Sequence, residues 1–328
     1  MKNLYPLKFK PIFKEKIWGG EKIRKVLNKN IGSLPNCGES WEISGVPEEV
    51  SLVSNGFLKG NSLEELIEVY MGDLVGDKIY EKFGTEFPLL IKFIDAADKL
   101  SIQVHPDDEL AKERHKAYGK TEMWYVIQAD EGSQLITGFK KPLNKAEYVQ
   151  YFKSGRLEEI LNYEEVKTGD TFFIPSGLVH AIGKGILLAE IQQTSDITYR
   201  IFDFNRVDEK GNPRELHTDL ALDAIDFKPE TESRVKYTAV ENVSTNLVEC
   251  KYFTTSILPL SGEIERDFAE KDTFVIYMGI EGSCSLIWEE GKLDIHKGET
   301  ILVPAVINNF HLESDKDSVA RLLEIYID

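Results

Sequence analysis

Gly169-Asp170-Thr171-Phe172-Phe173-Ile174-Pro175-Ser176 returns near the C-terminus as Gly298-Glu299-Thr300-Ile301-Leu302-Val303-Pro304-Ala305. In both copies a glycine and an acidic residue launch a short apolar strand that a proline ends, since proline cannot donate to a strand ladder. The likeness extends upstream. Glu122-Met123-Trp124-Tyr125-Val126, leading to Glu131-Gly132-Ser133, is echoed by Asp272-Thr273-Phe274-Val275-Ile276, leading to Glu281-Gly282-Ser283. A chain that repeats strand and turn in the same order is expected to fold as two similar β units. The copies diverge at one chemically important place, where His180 of the first is matched by Asn309 of the second.

The length of 328 residues allows two such units, each with its own core. We expect a first unit from residues 1–60 and 86–240, with helical segments near 62–84 and 143–161, and a second from 241–328. Ser62 and Glu65 form a capping-box pair ahead of Leu63, Leu66, Ile67 and Tyr70 at helical spacing. The formal charge of −17 argues against nucleic acid or an anionic membrane as partner. An anionic ligand would need a local cluster of Lys and Arg. Cys37, Cys250 and Cys284 are too few, and too scattered, for a disulfide framework. Residues 1–20 never build the apolar run of a signal peptide, and no stretch reaches the roughly 20 apolar residues of a membrane span. The expectation is a cytoplasmic protein, monomeric or weakly self-associating.

Chemistry concentrates on Ser101-Ile102-Gln103-Val104-His105-Pro106. In a strand, alternate side chains share a face, so Gln103 and His105 point one way while Ile102 and Val104 point the other. After the Pro-Ser-Gly turn at 175–177, His180 opens the next strand, and this stretch has the form of the second motif of a cupin barrel. Gln103, His105, Glu122 and His180 together offer an amide, a carboxylate and two imidazoles, a set suited to a divalent metal such as zinc with coordination left for substrate. His115, His217, His296 and His311 lack such a context and read as surface or packing residues, with a shifted ligand in the second barrel as the other reading for His311, close to Asn309. Lys92 interrupts the apolar run Pro88–Asp95; a lysine there is either on an exposed face or an anion contact inside a cavity. Trp18-Gly19-Gly20 and Gly38-Glu39-Ser40-Trp41-Glu42-Ile43-Ser44-Gly45 read as packing and turns on spacing alone.

These motifs resemble those of the class I, or type I, mannose-6-phosphate isomerases in their shorter bacterial form, which are zinc-dependent bicupins. The resemblance runs from Trp18 to about Phe227 and more weakly beyond. It rests on Leu100–Pro106, on Lys120-Thr121-Glu122-Met123-Trp124-Tyr125, and above all on Glu190-Ile191-Gln192-Gln193-Thr194-Ser195-Asp196-Ile197-Thr198-Tyr199-Arg200. Arg206 and Pro213-Arg214-Glu215-Leu216-His217 also match. It implies a mainly β fold of two jelly-roll barrels with a small helical insertion, and one Zn2+ per chain on Gln103, His105, Glu122 and His180. It places Glu190, Arg200 and Lys120 in catalysis, with Ser101 and Lys92 beside a small sugar-phosphate substrate. Trp18 and Trp41 are expected either as an apolar wall of the substrate pocket or as core. Thr121 departs from the family pattern, in which a proline is common between the Lys and the Glu, and the large helical insertion of the eukaryotic enzymes is missing.

The implied reaction interconverts mannose 6-phosphate and fructose 6-phosphate by moving a proton between C2 and C1 through a cis-enediol. It requires a base within reach of both carbons and positive charge near the oxygens. Glu190, following the apolar Ile186-Leu187-Leu188-Ala189, is the expected proton carrier, with burial raising its pKa. The other residue-based reading makes it a structural carboxylate paired with Arg200. Two other functions use overlapping residues: an iron(II) cupin dioxygenase, and a non-catalytic sugar-phosphate-binding bicupin.

Overall fold

The computed structural model describes residues 4–207, 210–228, 232–315 and 318–328; residues 1–3 of the first expected unit, and three short stretches further on, lie outside that description. The fold is mainly β, and the described residues build four antiparallel sheets. A seven-stranded sheet runs, edge to edge, through Arg234–Val235, Thr171–Ile174, Glu122–Ala129, Ile186–Gln193, Leu89–Ala96, Cys37–Ser44 and Ile12–Gly20. Facing it is a five-stranded sheet of Tyr199–Phe202, Ile102–Val104, His180–Ile182, Gln134–Phe139 and Leu161–Glu165. The C-terminal part repeats the plan. Thr300–Val303, Val275–Glu281, Ala320–Tyr326 and Thr254–Leu260 stand in the same order as their counterparts in the seven-stranded sheet, and a four-stranded sheet matches the five-stranded one. The internal repeat is thus a repeat of whole barrels, a bicupin. The strand Leu7–Lys8, expected with the first unit, pairs instead with Thr300–Val303 of the second. Two residues carry too little pattern to specify a partner.

The barrels pack back to back. Leu89, Ile91 and Phe93 on the outer face of the first large sheet share one buried cluster with Ile276, Met278, Leu302, Leu323 and Ile325 of the second. The alternate residues of the same strands fill the barrel interiors, so Ile186–Gln193 and Leu89–Ala96 are buried on both faces and read as continuous apolar runs. Each such Leu or Ile contributes about 1.5–3 kcal/mol relative to exposure. An ionisable residue in these runs is therefore committed to the interior.

Helices shield the remaining faces. Leu63–Tyr70 is capped by Ser62 and Glu65 in both directions and buries Leu63, Leu66 and Ile67. Lys145–Lys153 and Thr218–Ala224 bring Tyr148 and Ala221 into the cluster that also holds Ile102, Val104, Val179, Ala181 and Tyr199, on the outer side of the five-stranded sheet. With their apolar neighbours packed outward, Gln103 and His180 face the barrel interior. No helix among the described residues is long and apolar enough to cross a membrane, and the three cysteines are free thiols.

In the second barrel the inner face is shifted by one residue. Asn309, the sequence match of His180, is exposed, and Phe310 is buried in its place. His311 is only partly exposed and pairs with Glu263. Where the first barrel carries Glu190, the second carries buried Glu324, held by Arg266 at 2.7–2.8 Å and by the Tyr277 hydroxyl at 2.7 Å. This interior is closed by an ion pair.

Candidate active site

The two sheets of the first barrel each contribute to one buried cluster. His180 lies opposite Gln103 on one side and Thr137 on the other; His105 follows the same strand as Gln103, and Glu122 opens the facing strand. The Glu122 carboxylate sits between the imidazoles, with Oε2 3.5 Å from His105 Nε2 and Oε1 3.6 Å from His180 Nε2. All three residues are at most 1% exposed, and one ligand atom from each falls within 4.8 Å of the others. The Gln103 amide is 3.2 Å from His180 Nε2, so turning the amide over would bring its oxygen to the same place.

The outer nitrogens fix the rings. His105 Nδ1 is 2.9 Å from Ile197 O and His180 Nδ1 is 2.8 Å from Leu178 O. A carbonyl can only accept, so each Nδ1 carries the proton and each Nε2 turns a lone pair inward. His105 Nε2 and both Glu122 oxygens are buried with no hydrogen-bond partner among the described residues. Such an assembly of inward-facing acceptors is costly by itself and fits a divalent cation. Burial pushes both imidazoles below the ordinary histidine value, His105 furthest, with the Lys120 ammonium acting in the same direction. They stay neutral, the form that binds metal.

Beside this cluster a polar row crosses the large sheet. In register stand Trp41, Lys92, Glu190 and Trp124, one from each of four adjacent strands. Lys92 Nζ donates to Glu190 Oε1 at 3.0 Å and to Gln192 Oε1 at 2.7 Å, and Trp124 Nε1 donates to Glu190 Oε2 at 2.9 Å. The Trp124 ring also lies against His180, its centroid 5.4 Å away. Glu190 is paired with Lys92, not with Arg200.

Charge extends to the next strand. Burial alone would raise Glu39, yet Lys92, Lys16 and the Trp41 N–H, which donates at 2.7 Å, hold its carboxyl at about 2. Burial would lower Lys92, but Glu190 and Glu39 outweigh it and its pKa rises. Lys120, buried 3.7 Å from Glu122 Oε2, goes the other way because burial and the Lys92 charge both disfavour its ammonium.

Of the remaining expected residues, Ser101 is buried where the chain enters the Gln103 strand. Trp41 stacks under Lys92, 5.2 Å from Nζ to ring centroid. Trp18 belongs to the apolar cluster of Ile94, Leu100 and Trp124. Arg200 lies opposite Gln103 in register, and its guanidinium donates to Glu215 O at 2.7 Å. Burial and neighbouring Arg214 lower its pKa, and Asp203 is shared by Arg206 and Arg214. Sequence reading gave no role to Trp124 or Glu39. An aromatic residue in an apolar strand reads as core; the available signal was that Trp124 is two residues from Glu122, hence on the same face.

A buried His-Glu-His cluster and an adjacent Lys-Glu-Trp row in the first barrel define the class: a bicupin with one barrel that carries metal-type ligands and one closed barrel. A family model described as the phosphomannose isomerase type I catalytic domain matches residues 6–140, and one described as the mannose-6-phosphate isomerase cupin domain matches 243–322. The chain is 36% identical to a mannose-6-phosphate isomerase of Streptococcus mutans, over 96% of this chain and 97% of that one. It is 38% identical to mannose-6-phosphate isomerase ManA of Bacillus subtilis, over 97% and 99%. The crystal structure of the mannose 6-phosphate isomerase from Bacillus subtilis superposes with a TM-score of 0.87 at 35% identity, covering 98% of this chain and 99% of that one. The chain belongs to the type I phosphomannose isomerase family.

Proposed function

We propose that this protein is a cytoplasmic, zinc-dependent aldose-ketose isomerase that interconverts mannose 6-phosphate and fructose 6-phosphate. The observation that carries the reading is Glu190: a buried carboxylate, with both oxygens hydrogen-bonded, next to a cluster of inward-facing metal-type ligands. Gln103, His105, Glu122 and His180 would hold one Zn2+ per chain, which when bound supplies Lewis-acid polarisation and orientation of the sugar oxygens.

The rest falls to the chain's own groups. Glu190 takes the proton from C2 of the open-chain sugar; the C–H electron pair becomes the C1=C2 double bond, and the carbonyl oxygen gains a proton, giving the cis-enediol. Returning the proton to C1, with loss of the O2 proton, leaves the ketose, so no redox cofactor enters. Lys92 fixes the carboxylate, and Trp124 holds its second oxygen. Lys120 stands near the oxygens that gain charge, while Arg200 offers a permanently charged fork to an anionic part of the substrate. Ser101, Trp18 and Trp41 complete the substrate contacts.

A coupled assay following fructose 6-phosphate formed from mannose 6-phosphate, with and without chelator, tests the reaction. In it Glu190→Gln should retain zinc while turnover falls by about 10²–10⁴-fold, the usual worth of a positioned acid-base group. Near wild-type turnover would remove Glu190 from this role. Oxygen consumption in place of ketose formation would favour the dioxygenase alternative.

A further inference from the structure

Thr121 links the metal-type cluster to the second barrel. It lies between Lys120 and Glu122, and its N–H donates to Gln193 Oε1 at 2.9 Å while its carbonyl accepts from Gln193 N at 3.2 Å. Its hydroxyl accepts from Ser176 N at 3.3 Å, at the turn that leads to His180. The other end of the Gln193 amide donates to Asp108 Oδ1 at 2.9 Å, and the same oxygen accepts from Gly119 N at 3.1 Å. Gly119 is confined there: a Cβ would come within 2.5 Å of the Asp107–Asp108 backbone. Asp108 Oδ2 accepts from the Tyr252 hydroxyl at 2.6 Å and, more weakly, from the exposed Lys251 ammonium at 3.3 Å. Tyr252 sits in the turn between Thr245–Glu249 and Thr254–Leu260, in the large sheet of the second barrel.

We infer that Tyr252 is a positioning residue, through which the second barrel holds the Lys120–Glu122 segment in place by way of Asp108, Gln193 and the Thr121 backbone. The hydroxyl fixes the carboxylate, the carboxylate fixes the Gln193 amide, and the amide fixes the main chain between two functional side chains. Small displacements of such groups are expensive in rate. The closed second barrel thereby gains a task beyond packing.

The test uses the full chain with Tyr252→Phe, which keeps the ring, and with Gln193→Leu as an independent break. Amide hydrogen exchange at Thr121 should quicken by about fivefold or more in both, the worth of one released hydrogen bond, while the thermal midpoint stays within about 4 °C of wild type. The kinetic part rests on the proposed isomerase reading: kcat should fall about fivefold with KM within about twofold, and the double variant should be no worse than the more affected single one. Thr121 exchange at the wild-type rate in Tyr252→Phe would overturn the relay, as would fully additive losses in the double variant. If the wild-type chain shows no isomerase turnover, the proposed function fails, and the exchange comparison still decides the relay.

Discussion

Lys92→Met tests the electrostatics of the polar row directly, because it keeps an unbranched apolar stem and removes only the ammonium. Lys92 and Glu190 are each about 4% exposed and Glu39 about 9%, so water cannot replace the lost charge. Glu39 is held at about 2 against an ordinary value of 4.5. At 1.36 kcal/mol per pH unit that gap corresponds to about 3 kcal/mol, shared among Lys92, Lys16 and Trp41. Removing one member of a buried ion pair costs about 3–5 kcal/mol, and Gln192 also loses its donor. We therefore expect urea unfolding at pH 7, with chelator present, to show a loss of about 3 kcal/mol. A carboxylate depressed in the folded state stabilises above its unfolded pKa and loses that contribution as pH falls through the folded value. The gap between wild type and variant should accordingly narrow between about pH 4.5 and pH 2. A loss below about 1 kcal/mol at pH 7, or a gap unchanged with pH, would refute the reasoning.

Two further outcomes follow from the metal-type cluster. His180→Ala should lose both metal content, measured by elemental analysis, and isomerase turnover; full metal occupancy would remove His180 from the ligand set. Burial keeps His105 and His180 below the ordinary histidine value, so the folded chain refuses protons that the unfolded chain accepts. The chelated protein should thus lose stability as pH falls below about 6.5, and a His105→Gln/His180→Gln double variant should flatten that slope in denaturation curves taken between pH 7 and 5.

The sequence carried the architecture because the repeat lies in turn chemistry: Gly-Asp or Gly-Glu launching a strand and Pro ending it are local constraints that survive without knowledge of the partner strand. It also carried the ligand candidates. A period of two puts Gln103 with His105, and a polar side chain turned into a barrel interior is costly unless something there binds it. Pairing and facing were a different matter. Asn309 matches His180 by position, yet Phe310 takes the inner face, since in a strand one residue of offset exchanges the two faces. The partner of Glu190 turned on cross-strand register, which brought Lys92 from nearly 100 residues away and Trp124 from the other side. Glu39 and Tyr252 carry no local signal at all. Short-range geometry is written residue by residue, whereas which side chain meets a buried charge depends on how distant strands align. By itself the sequence determined two β barrels and the candidate ligands on the strands of one; only the tertiary structure decided which side chains hold Glu190 and what the second barrel touches.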